Sequence, residues 1–152
     1  MADEITVERV IVAAPEELWS RVADLTRMGE LSPESAGGKW LRGATGPAVG
    51  ARFKGDNRNG KKKWSTTGTI VECEPGRVFA FDVAAGPFKI SRWIYRFELV
   101  DGGCLVRETW VDRRGWLAAR LGKPVSGVEN RADHNRGTMV ATLDRLKALA
   151  ES

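Results

Sequence analysis

One histidine, one tyrosine, two cysteines and three methionines stand in a chain of 152 residues. The lone histidine, His134, excludes a two-histidine metal site, and no cluster of acids compensates for it. Cys73 and Cys104 are too few for a disulfide scaffold and read as reduced thiols. No apolar run approaches the roughly 18 residues that a membrane span requires. The opening Met-Ala-Asp-Glu has no basic region followed by an apolar stretch, so the expected location is the cytoplasm. Neither a phosphate loop, nor a G-x-G-x-x-G following a strand, nor a Ser-His-Asp nucleophile signature is present, and no cofactor is expected.

What the chain does have is enough apolar matter for a core: 42% hydrophobic residues against 29% charged. Its length fits one domain over residues 1–152. The net charge of +4 lies wholly in the second half, since residues 1–76 carry 11 basic and 11 acidic side chains. That excess is small and interleaved with acids, and the densest run, Lys61-Lys62-Lys63, sits beside a turn. Nucleic acid is therefore disfavoured as a partner.

Periodicity then orders the elements. Residues 5–12 are β-branched and strand-like. Pro15 opens a helix with Glu16 and Glu17 in its first turn and Leu18, Trp19, Val22 and Leu25 at helical spacing, and a second short helix is predicted over 26–31. Turn signals at Gly46-Pro47, Asn59-Gly60, Pro75-Gly76, Gly86-Pro87 and Asp101-Gly102-Gly103 separate six more strand-like runs: 38–43, 50–57, 63–73, 77–83, 89–99 and 103–111. Such short connections imply an antiparallel meander. From about residue 126 to 150 the helical period returns, giving a helix of about 35 Å that covers one face of a seven-stranded sheet.

Alternation assigns faces. Ser91, Trp93, Tyr95, Phe97 and Leu99 share one face of their strand, as Phe53, Gly55 and Asn57 do on theirs, and Phe79 and Phe81 on another. The inward face is thus aromatic but carries polar groups that need partners, water or a ligand. Six tryptophans extend the pattern, and rings such as Trp40, Trp93 and Trp110 serve either as core or as the wall of a ligand cavity. The strand around Glu108 is left open by alternation. An inward Trp110 carries Glu108 inward with it, where burial raises its pKa unless a partner such as Arg9 pairs it; otherwise both face solvent.

Several stretches resemble a known group. Ile11-Val12-Ala13-Ala14-Pro15-Glu16-Glu17-Leu18-Trp19, Ser32-Pro33-Glu34, Trp64-Ser65-Thr66-Thr67, Val71 to Phe79, Arg107-Glu108-Thr109-Trp110 and Asn135-Arg136-Gly137-Thr138-Met139 with Thr142-Leu143 are similar to the SRPBCC superfamily (START/Bet v 1-like proteins). Within it they resemble the bacterial polyketide cyclase/dehydrase and lipid-transport group. The resemblance covers nearly the whole chain. It implies an α+β helix-grip fold: a curved, seven-stranded antiparallel sheet around a long C-terminal helix, with two short helices between strands 1 and 2. It also implies a cavity for a hydrophobic small molecule such as a lipid, polyketide or aromatic metabolite. Comparison with ligand-binding members, including plant hormone receptors, places Glu108 and Thr142 towards that cavity. The group has no universal catalytic residue to carry over.

Three functions from different classes follow: binding or transfer, cofactor-free cyclisation or dehydration, and, ranked last, protein interaction. For proton transfer the candidates are Glu108 and Tyr95, with Asn135 or Ser91 orienting an oxygen and His134 bordering the cavity. On the last helix Asn135 fits the stripe of Met139, Thr142 and Leu146 better than His134 does. Residues 115–122, with Trp116, Leu117 and Leu121 among Arg113, Arg114, Arg120 and Lys123, read as a helical corner, a lid or a shallow contact with an anionic membrane. Monomer and homodimer both remain open.

Overall fold

The computed structural model describes residues 3–152. Strand β1 (Glu4–Ile11) leads into helix α1 (Pro15–Ala23) and a 3-10 turn over Leu25–Glu30. Six strands follow: β2 (Ser35–Trp40), β3 (Arg52–Asn59), β4 (Lys62–Glu74), β5 (Val78–Ala85), β6 (Phe88–Val100) and β7 (Gly103–Asp112). Helices α2 (Trp116–Ser126) and α3 (Arg131–Glu151) complete the chain. The seven strands form one antiparallel sheet in the order β1-β7-β6-β5-β4-β3-β2. The expected helix-grip architecture is the observed one.

Strict alternation on β1 and β7 explains how the sheet chooses its inner face. Ile5, Val7 and Ile11 are buried while Glu4, Thr6 and Glu8 are exposed; opposite them Cys104, Val106, Glu108 and Trp110 are buried. On the outer face Arg107 donates to Glu8 at 2.9 Å and the Thr6 and Thr109 hydroxyls meet at 2.9 Å, so the polar side of the ladder is satisfied among its own members. Register shifts at Ile70/Glu72 and at Val83/Ala84 bend the middle strands around the helix. Met139, Leu143 and Leu146 of α3 are fully buried against this face, and α1 docks beside them through Leu18 and Val22, with Trp19 Nε1 donating to the Val78 carbonyl at 2.9 Å.

Four expectations need correction. The 115–122 segment is no mere corner: α2 runs for 11 residues and includes Pro124, whose missing N–H falls on an exposed side. Consequently the long helix starts at Arg131 rather than near 126, because Gly127 (φ 71°) terminates α2 and Asn130 caps α3 by accepting from Asp133 N at 3.1 Å. Leu99 keeps the parity of Tyr95 and Phe97 but is 75% exposed, since β6 outruns what the helices cover. Arg9 does not reach Glu108; it pairs with Asp144 at 3.0 Å.

Phe53 illustrates how tightly the wall is built. It faces Gly68 across the β3–β4 ladder, and a Cβ there would stand 2.1 Å from Phe53 Cε1, so the ring lies directly over the glycine. Gly68→Ala is therefore expected to lower stability by about 1–3 kcal/mol through overpacking, read as a lower urea midpoint at unchanged m-value.

Candidate functional site

The helices do not fill the concave face. Between the sheet, the residues 32–37 segment, α2 and the first half of α3 lies a cavity of about 400 Å³. Its position follows from the composition of α3. The C-terminal half offers Leu143 and Leu146 to the sheet, whereas Arg131, Asn135 and Thr138 of the N-terminal half, with Thr142 just past the midpoint, face the cavity.

Ten of the residues singled out from the sequence meet on its wall: Phe53 and Asn57 from β3, Phe81 from β5, Ser91, Trp93 and Tyr95 from β6, Glu108 and Trp110 from β7, and Asn135 and Thr142 from α3. Three others stand behind it. Trp40 packs edge-on against Phe53 at 6.1 Å between centroids. Phe79 is sealed between Trp19 and Phe81, and Met139 belongs to the closed core. His134 does not line the cavity either; its Nε2 lies 2.5 Å from Glu34 Oε2.

Glu108 is buried in the wall on β7, only 2% exposed. Tyr95, its direct neighbour across the β6–β7 ladder, donates its hydroxyl to Glu108 Oε2 at 2.7 Å. Oε1 has no hydrogen-bond partner among the described residues. Burial pushes the Glu108 pKa up to about 8, against the opposite and smaller pull of the Tyr95 hydrogen bond. Burial, followed by the charge and hydrogen bond of Glu108, likewise holds the Tyr95 phenol well above its ordinary range. At neutral pH the pair is a carboxylic acid beside a phenol, a combination that can hold a ligand oxygen or hand it a proton.

Towards the mouth lie groups that the sequence did not reveal as a set. Arg131 donates to Glu34 Oε1 at 2.7 Å and to Asn135 Oδ1 at 3.3 Å, and its guanidinium stands 5.9 Å from the centroid of the Trp64 ring. Arg114 closes a fork on Asp112, with Nε 2.9 Å from Oδ1 and Nη2 2.8 Å from Oδ2. Burial raises the Asp112 pKa, but the Arg114 side-chain and backbone bonds outweigh it and hold the carboxyl below its usual range. The i, i+4 spacing of Arg131 and Asn135 was the available signal for the first cluster. Arg114, just beyond β7, stands in the sequence only as one of the cations flanking residues 115–122, with nothing to tie it to Asp112. Leu121 and Val125 of α2 complete the mouth and remain about half exposed.

The raised Glu108 pKa has a consequence for stability. The folded state binds this proton up to about pH 8, whereas an unfolded glutamate releases it near pH 4.3. The protonated form favours folding fully below the unfolded value, and that contribution is lost as pH rises to the folded one. Wild-type protein should thus lose up to about 1.4 kcal/mol per pH unit between roughly pH 5 and 8 relative to Glu108→Gln, measured by urea unfolding of both proteins at each pH.

Comparison with known proteins agrees with this architecture. Residues 2–151 match the family model described as polyketide cyclase / dehydrase and lipid transport. No functionally curated protein matches the chain. Among solved structures, the di-domain ARO/CYC StfQ from the steffimycin biosynthetic pathway superposes with a TM-score of 0.76 at 15% identity over 99% of this chain. That match takes in 51% of StfQ, so the chain spans about half the length of the di-domain protein. Ginseng major latex-like protein 151 from Panax ginseng gives 0.74 at 11% identity, covering 98% of this chain and 97% of its own. The Polyketide_cyc-like protein Cgl2372 from Corynebacterium glutamicum gives 0.61 at 25% identity, covering 99% and 93%. With a seven-stranded grip around α3, a cavity between them and a family match over essentially its whole length, the chain belongs to the polyketide cyclase/dehydrase and lipid-transport family of the SRPBCC superfamily.

Proposed function

We propose that the protein binds a hydrophobic small molecule, such as a lipid, polyketide or aromatic metabolite, in the cavity between the sheet and α3. The observation that carries this reading is the cavity itself: about 400 Å³ of space lined mainly by rings and aliphatic side chains, with a single buried acid in its wall. That is the make-up of a small-molecule site, apolar with a few placed polar groups. Native mass spectrometry of freshly purified protein, followed by extraction, should find one apolar molecule retained per chain. A Val83→Trp variant, which fills the cavity from β5, should retain none. Failure to retain anything, with a melting temperature indifferent to panels of lipids and aromatic polyketides, counts against the reading.

The Glu108–Tyr95 pair supports a second reading, cofactor-free cyclisation or dehydration, in which the acid and phenol move protons on a folded substrate. The same experiment separates the two: a carrier returns its retained compound unchanged, whereas a cyclase converts it and Glu108→Gln binds it without conversion.

A peripheral contact with anionic membrane fits the surface around α2. Trp116 is 74% exposed there, beside exposed Leu117, Arg120 and Lys123. Asn59 Nδ2 donates to the Ser126 carbonyl at 2.9 Å, which brings the Lys61–Lys63 hairpin tip to the end of the same helix. An exposed indole and leucine among cations that have no salt-bridge partner among the described residues suit an interfacial helix. Vesicles with 30 mol% anionic lipid, roughly, should pellet wild-type protein, neutral vesicles should not, and Trp116→Ala should weaken the effect severalfold.

A further inference from the structure

We infer that the cavity selects an uncharged ligand that presents a carbonyl or hydroxyl oxygen to Glu108, and rejects the carboxylate of the same skeleton. This deepens the binding reading above and rests on it.

The argument begins with which oxygen is free. Tyr95 has one hydroxyl proton, and it is directed at Glu108 Oε2. The carboxyl's own proton therefore belongs on Oε1, the oxygen left without a partner in the wall of the cavity. A buried polar atom in that state is costly, and a ligand oxygen accepting from it removes the cost. The pKa of about 8 supports the same protonation state at neutral pH.

The charges around the cavity decide the rest. β6 contributes Tyr95, β7 contributes Glu108, and Val7 is the apolar neighbour of Glu108 on β1. The lining residues of β3, β4, β5 and α2 carry no charge. Arg114, just past β7, is forked onto Asp112, and Arg131 of α3 is bound to Glu34. Both cations that line the cavity among the described residues are thus already neutralised by carboxylates of the protein. A carboxylate ligand would enter an apolar space that has no free cation among the described lining residues and an acid in its wall, which is a desolvation cost without compensation. An ammonium ligand would need Glu108 ionised, stripping water from two ions rather than forming one neutral hydrogen bond. A neutral oxygen meets neither penalty.

Four probes on one ring system test this by isothermal titration calorimetry at pH 6.5: 2-acetonaphthone, 2-naphthoate, 2-naphthylmethylamine and 2-ethylnaphthalene. The ketone should bind about tenfold tighter than each of the others, the effect expected of one buried hydrogen bond. Glu108→Gln, which keeps an N–H donor, should retain the preference for ketone over hydrocarbon. Glu108→Leu should bring those two within about twofold, hydrocarbon affinity serving as the check that the cavity has folded. Raising the pH to 9.5 should weaken the wild-type ketone complex and leave the hydrocarbon complex unchanged, because the donor is lost above its pKa. Equal binding of all four probes, or naphthoate or amine binding as tightly as the ketone, overturns the inference and leaves the cavity reading standing. Binding of none, the hydrocarbon included, overturns both.

Discussion

The seating of Met139, Leu143 and Leu146 on the inner face of the sheet is the contact on which the remaining features depend. These side chains are fully buried and fix α3 against β1 and β7 at one end only. Were the apolar stripe continued to the start of the helix, the helix would close down on the sheet along its whole length. Instead the first turns present Arg131, Asn135 and Thr138, which are poor material for a dry interface. The hollow is therefore the product of a gradient along a single helix, apolar where it must hold and polar where it must stand off.

Within that hollow the polar groups are of two kinds. Those near the mouth are internally settled: Arg131 with Glu34 and Asn135, Arg114 with Asp112. Glu108, deeper and less exposed, is settled on one oxygen only. Burying an acid with half its hydrogen-bonding capacity unused is destabilising, and raising its pKa to about 8 trades a buried charge for a smaller, neutral penalty. The protein thereby sacrifices stability at the buried acid of the cavity wall.

Much of the fold was legible from two periods in the sequence. The seven strands, α1 and the long final helix follow from period-2 and period-3.6 patterns punctuated by Asn-Gly, Pro-Gly and Asp-Gly turns; six wall residues of β3, β5 and β6 follow from strand parity, and Asn135 and Thr142 from the stripe on α3. Glu108 was the exception, because Leu105 and Val111 balance Val106 and Trp110 across the two faces of β7; what settles it is pairing with Tyr95, a contact between residues 13 apart in sequence. Parity and helical stripes place a side chain on a face but not along the depth of the cavity, so they point Trp40, Phe79 and Met139 inward without showing that these stand behind the wall. Helix α2 gives a weak local signal because Gly122 and Pro124 stand inside it. The Glu34–Arg131–His134 cluster joins residues about a hundred positions apart, beyond the reach of any local pattern.

Trp93 and Trp110 face one another across the β6–β7 ladder, and both line the cavity together with Trp64. Half of the six indoles of this chain thus border the space a ligand would occupy, one of them only 2% exposed. The cavity carries its own chromophores. Its contents alter the polarity around those rings before anything outside the wall is disturbed, so emission colour distinguishes a wet interior from a filled one without a label.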